Sequence, residues 1–229
     1  MATTHQAPGS GVPVAYTGSD LRELWFTRVT VGAFLGFLAP AIGGALTAHA
    51  GTATLVAVMI VAGAIEGSVL GLFQARVLRT VLSRLRIRDW VIATAAGAVL
   101  AWSIGVLPMA FGDGFGDWPV WVRVPVIVVG SVVLVFSLGG AQWVVLRHFT
   151  DRAPLWILAN AAAWGAGLTA FTLVSTPLWQ PGQAPWLVAA IGALAGGVMA
   201  AVMAWVTGVF LSRILTGTHL LPRQEIGRF

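Results

Sequence analysis

Six uninterrupted apolar runs dominate this chain, at roughly 25–48, 54–78, 90–111, 120–146, 156–178 and 186–212. Each exceeds the ~20 residues that a helix needs to cross the hydrocarbon of a bilayer. Inside lipid every backbone N–H and C=O must be satisfied within the protein, which leaves helices and closed barrels. These runs are continuous rather than alternating in polarity, so they predict an all-α, polytopic bundle of six transmembrane helices over residues 24–213. Composition agrees: charged residues are 9% of the chain and hydrophobic residues 58%, whereas a soluble domain carries about a quarter charged residues. A chain this poor in charge cannot cover a water-facing surface, and its outer face must meet lipid.

The flanking segments differ in character. Residues 1–23 are small, polar and turn-forming, without the charged start and apolar core of a signal peptide. They read as an uncleaved, disordered tail, and 214–229 as a second tail. All 13 basic residues are Arg. With both termini inside, twelve of them fall on the cytoplasmic side and only Arg123 outside, as the positive-inside rule requires. The outer loops then hold Asp113 and Asp117, which Arg123 is expected to pair with, and the uncharged stretch before Trp186. Trp25, Trp90 and Trp156 mark inner ends, and Trp118, Trp121, Trp179 and Trp186 outer ends, where amphipathic rings favour the interfaces. The Arg-only basic set, with its Ala, Gly and Val excess, reads as a GC-rich bacterial genome and a cytoplasmic (inner) membrane location. The net charge of +5 follows from that topology and carries no implication of nucleic acid.

Two segments match closely: Gly71 to Arg79 (GLFQARVLR) and Gly139 to Arg147 (GGAQWVVLR). Each closes an even-numbered span, and each is followed by a Trp that opens the next. The repeating unit is a Trp-to-Arg hairpin, over 25–79, 90–147 and 156–213, giving three parallel pseudo-repeated hairpins. The third keeps Arg213 but places Gly208 where Gln would stand. Duplication of this kind builds pseudo-symmetric bundles, and parallel repeats also occur in transporters. The phrase Gly139-x-x-Gln142-Trp-x-x-Leu146-Arg147 resembles one repeated in small uncharacterised bacterial multi-pass membrane proteins. That resemblance implies a helical bundle and carries no activity with it.

Lipid supplies no hydrophobic drive between helices, so close approach at small residues matters. Gly63, Gly67 and Gly71 share one face of the second span by their four-residue spacing. Gly32 and Gly36, continued by Pro40 and Gly44, do the same in the first, and Gly192 and Gly196 in the sixth. Pro40 is expected to kink the first helix. Such stripes suit packing within the bundle or between copies of the chain.

Chemistry-bearing residues are few. Glu66 is the one acidic residue inside an apolar run, and a carboxylate at that depth costs several kcal/mol unless paired. Two readings stand: a proton or cation site, or a carboxyl that fixes helix register through a hydrogen bond. Gln74 and Gln142 lie nearer the inner face; as a pair they would form a polar ring at a cavity mouth or, as preferred here, interhelical hydrogen bonds. Asn160 reads as a helix–helix contact. Arg79, Arg84, Arg86 and Arg88, interleaved with Val and Leu, are candidate contacts for anionic lipid. The chain has no Cys, its four His are scattered, and no nucleotide-binding or nucleophile motif appears. No metal, cofactor or catalytic residue is therefore expected. The chain reads as a non-catalytic membrane subunit or scaffold, whose partners are the bilayer and either another membrane protein or a second copy of itself. The alternative is a small channel or transporter for protons, cations or a small solute through Glu66.

Overall fold

The computed structural model describes residues 18–216, and only helices, turns and loops occur among them. In chain order these are α1 (Gly18–Leu46), α2 (Thr52–Val81), α3 (Ile87–Gly105), α4 (Leu107–Phe111), α5 (Val120–Leu146), α6 (Pro154–Leu178) and α7 (Pro185–Thr216), with one 3₁₀ turn at Gly112–Phe115. Counting α3 with α4 as one span, six helices are long and apolar enough to cross a membrane. Their outward faces carry large apolar side chains such as Leu35, Ile42, Ile65, Ile92, Val129, Leu173 and Leu194. In water that surface would aggregate; in hydrocarbon it is solvated. The chain is a multi-pass membrane protein.

Two boundaries differ from expectation. Helix α1 begins at Gly18 and absorbs the polar lead through Glu23. Asp20 in its first turn complements the helix dipole, and Arg22 Nε returns to the Gly18 carbonyl at 3.2 Å. The third span is interrupted at Val106, because Pro108 has no N–H to offer the preceding turn. Pro40, by contrast, lies buried inside an unbroken α1. The segments 1–17 and 217–229, which hold most of the expected tails, lie outside the described residues.

The helices form a closed ring: α1 packs on α2, α2 on α3, α3 on α5, α5 on α6, α6 on α7, and α7 returns to α1. Glycine sets the spacing at several seams. A methyl on Gly32 would lie 2.6 Å from Phe73 Cβ, and one on Gly36 3.0 Å from the Glu66 carbonyl. On α2, Gly63 lies under the Trp102 indole, Gly67 against Ala98 and the α3 backbone, and Gly71 against Thr94. Gly97 meets α5 and Gly139 meets α6 in the same way. Two expected packing positions shift. The α1 seam ends on Gly43, against Val58, with Gly44 beside it, because a real helix drifts from a strict four-residue period. On α7, Gly192 has open space around it and Gly196 only an ordinary contact with Phe37; the buried positions are Ile191, Ala195, Ala200 and Ala204.

The buried core sits at one end of the ring, the end at which α1 starts and α7 finishes. Leu21, Trp25, Leu78, Trp90, Leu146, Trp156, Leu211, Ile214 and Leu215 interlock there, and Leu82 and Leu85 fold under them from the α2–α3 loop. At the other end, Trp121, Trp179 and Trp186 are exposed, as expected of an interfacial belt.

Candidate functional site

The three tryptophans that open α1, α3 and α6 face inward. Trp25, Trp90 and Trp156 are completely buried, so the expectation that they sit at the lipid interface is corrected. Trp156 is central, edge-on to Trp25 with centroids 5.6 Å apart and tilted against Trp90 at 6.1 Å. An indole brings one obligatory N–H donor with its apolar bulk, and a buried donor needs an acceptor. Each finds one on the helix that precedes it around the ring. Trp90 Nε1 donates to Gln74 Oε1 (3.1 Å), Trp156 Nε1 to Gln142 Oε1 (2.8 Å), and Trp25 Nε1 to Thr207 Oγ1 (3.0 Å).

The two glutamines join the Trp90 and Trp156 bonds into one network, and the Trp25–Thr207 bond stands beside it. Gln142 Nε2 donates to Gln74 Oε1 at 2.7 Å and to Thr94 Oγ1 at 2.9 Å. Thr94 in turn donates to the Trp90 carbonyl at 2.8 Å. Asn160 Nδ2 bonds the Trp156 carbonyl on its own helix, and its Cβ packs on Gly139. Gln142 therefore uses both amide hydrogens and its carbonyl on three other helices, α2, α3 and α6. Chemically this arrangement is a clamp: it fixes helix register and occupies both amide hydrogens and the carbonyl of Gln142.

Sequence alignment on Arg213 placed Gly208 at the position of the glutamines. In space the acceptor is the neighbouring Thr207, and Leu211, four residues on, fills the buried position held by Leu78 and Leu146. Gly208 is needed for another reason. A Cβ there would lie 3.0 Å from Trp25 Cδ1, so any side chain would press on the indole.

Glu66 stands apart from this network, eight residues from Gln74 along α2 or about 12 Å by helical rise. It sits where α1, α2 and α3 meet, with its Cγ against Gly36 and its Oε2 accepting from Trp102 Nε1 at 2.8 Å. Trp102 reaches it by crossing the bare backbone of Gly63. The structure thus joins Gln74 with Gln142 but leaves Glu66 with a tryptophan. Two cavities lie along the first turns of α1, and Glu66 lines neither.

The basic residues point outward. Arg79, Arg84, Arg86 and Arg88 are exposed while Leu82 and Leu85 between them are buried, which makes the α2–α3 loop an amphipathic strip. Arg88 lies 3.6 Å from Asp89. Arg147 lies over the Trp143 ring at 5.2 Å, and Arg213 over Phe210 at 6.0 Å. Arg123 donates to the Gly116 carbonyl rather than to the Asp117 carboxylate. Among the described residues no three His, Asp or Glu side chains gather as a metal site.

Sequence reading missed Thr94, Thr207 and Trp102. Threonine is commonplace in apolar helices, and its value here comes only from an indole or amide brought opposite by the ring. Searches of protein-family models, curated proteins and solved structures find no match for this chain.

Proposed function

We propose that the chain is a non-catalytic integral membrane protein, a subunit or scaffold that holds lipid or another membrane protein against its outer helix faces and its Arg-rich end. The observation that carries this reading is the pairing of polar groups at its buried end: Trp90, Trp156, Gln74, Gln142 and Thr94 share one hydrogen-bond network, and Trp25 bonds Thr207 beside it. A solute path needs polar groups free to exchange partners, and a clamp needs them occupied. The same reading takes the Trp-to-Arg hairpins as products of duplication. It places both termini on the cytoplasmic side of a bacterial inner membrane, among small multi-pass proteins of the kind the Gly139–Arg147 phrase resembles. The thrice-repeated indole bond supports duplication, and the Arg side chains gathered at the tryptophan end support the orientation.

The competing reading is a narrow proton or cation path through Glu66, favoured by the presence of a carboxyl at mid-membrane depth. Reconstitution separates the two. On the scaffold reading, purified protein in liposomes conducts no more than empty vesicles, co-purifies in mild detergent with a defined lipid or protein, and responds to Glu66→Gln only in stability.

A further inference from the structure

The larger of the two cavities is a groove of about 430 Å³ along the start of α1, closed on one side by Phe73 of α2. Asp20, Glu23, Thr27 and Val31 line it along one stripe of α1, with Arg28 at its edge. Chemistry changes along the stripe in a fixed order: carboxylates at the helix start, a guanidinium deeper, then apolar Val31 and Phe73. Arg28 lies three residues beyond the buried Trp25, about 4.5 Å further into the membrane by helical rise. Glu23 and Arg28 are both exposed and neither forms an ion pair with a described residue. An unpaired guanidinium on a lipid-facing helix at that depth is costly unless an anion meets it.

We propose that this groove is a binding site for a zwitterionic aminophospholipid, with its phosphate on Arg28, its primary ammonium on Glu23 and its first acyl carbons against Val31 and Phe73. The order of charges carries the choice. A phospholipid bearing only a phosphate-derived charge would satisfy Arg28 and leave Glu23 unpaired beside it. A headgroup with an ammonium beyond the phosphate meets both signs in the sequence in which α1 presents them. A primary ammonium also has three N–H donors for the carboxylates, which a quaternary one lacks. The inference rests on reading the chain as a membrane protein that holds lipid. It fails separately from that reading, because phosphatidylethanolamine binding and ion flux are measured independently.

The test is lipid retention by the full-length protein, followed by native mass spectrometry in mild detergent against phosphatidylethanolamine, phosphatidylglycerol and phosphatidylcholine. Wild type should retain phosphatidylethanolamine over the other two at one saturable site. Glu23→Gln and Arg28→Gln should each weaken it about fivefold, the equivalent of one charge contact at a headgroup. Glu23→Lys should reverse the preference toward phosphatidylglycerol, a change that mere loss of folding cannot mimic; thermal melts of each variant check the fold. Arg79 to Arg88 supply a background of phosphatidylglycerol binding common to all variants, so the readout is the difference between them. Equal retention of the three lipids, or a Glu23→Lys protein that still prefers phosphatidylethanolamine, overturns the proposal. So does a preference that emerges only after deletion of residues 1–17, which would make the chain's own N-terminal segment the occupant.

Discussion

Replacing Gln142 by Leu removes the one side chain that ties α2, α3 and α6 to α5 through hydrogen bonds, at nearly constant volume. Three bonds are lost, to Gln74, Thr94 and Trp156. Interhelical hydrogen bonds within membranes average about 0.6 kcal/mol and reach about 1.7. The fully buried indole of Trp156 is also left without an acceptor, a cost of about 1–3 kcal/mol. Together these give an expected destabilisation of about 2–4 kcal/mol, since the Leu recovers part of the loss in packing. Gln74→Leu should cost a similar amount, because Gln74 Oε1 accepts from both Trp90 and Gln142. The two changes share a bond, so the double variant should fall short of the sum of the singles by about 0.5 kcal/mol or more. Unfolding from mixed micelles, followed by tryptophan fluorescence, measures all three; Gln180→Leu, at an exposed side chain just beyond α6 that joins no hydrogen bond among the described residues, serves as the control. If Gln142→Leu is no more damaging than the control, or the two glutamine changes are simply additive, the network does not clamp the helices.

Other outcomes follow from the same geometry. Gly67→Ala places a methyl 2.8 Å from the Ala95 backbone, so α2 and α3 must part, with a loss of about 1–3 kcal/mol in the same unfolding assay. Gly192→Ala meets nothing within 4 Å and should be neutral or stabilising by up to about 1 kcal/mol, since Ala is the better helix former. Thr207→Val deprives Trp25 of its acceptor at unchanged shape; it should cost about 1 kcal/mol and shift Trp25 emission, with no shift in a Trp25→Phe background. Because the chain has no Cys, single cysteines report orientation cleanly. Ser83→Cys should be shielded from an impermeant thiol reagent in intact cells and Asp117→Cys labelled, and the reverse pattern would refute the orientation.

The number and type of helices were legible in the sequence because length and apolar continuity decide them in lipid. Gly63, Gly67 and Gly71 were legible for a related reason: only one face of a helix can carry an unbroken small-residue stripe. The tryptophans were harder. A Trp at a span end suits the interface and the core equally, and only the closure of α7 onto α1 turns Trp25, Trp90 and Trp156 inward together. The shift from Gly208 to Thr207 was illegible because Arg213 is exposed and free to slip a residue, while the buried Leu211 holds the register. Gly192 misled because spacing along a helix does not say which face the neighbour takes. The depth and isolation of Glu66 were legible, but its partner Trp102 lies 36 residues away and is reached only across Gly63.

The central claim is that the polar groups inside this bundle hold helices together rather than conduct. Proton and monovalent-cation flux into liposomes containing the purified protein tests it most directly, with wild type, Glu66→Gln and empty vesicles compared at matched protein density. The account predicts that all three are indistinguishable, with Glu66→Gln differing only in melting temperature. A flux present in wild type and abolished by Glu66→Gln in folded protein would contradict it.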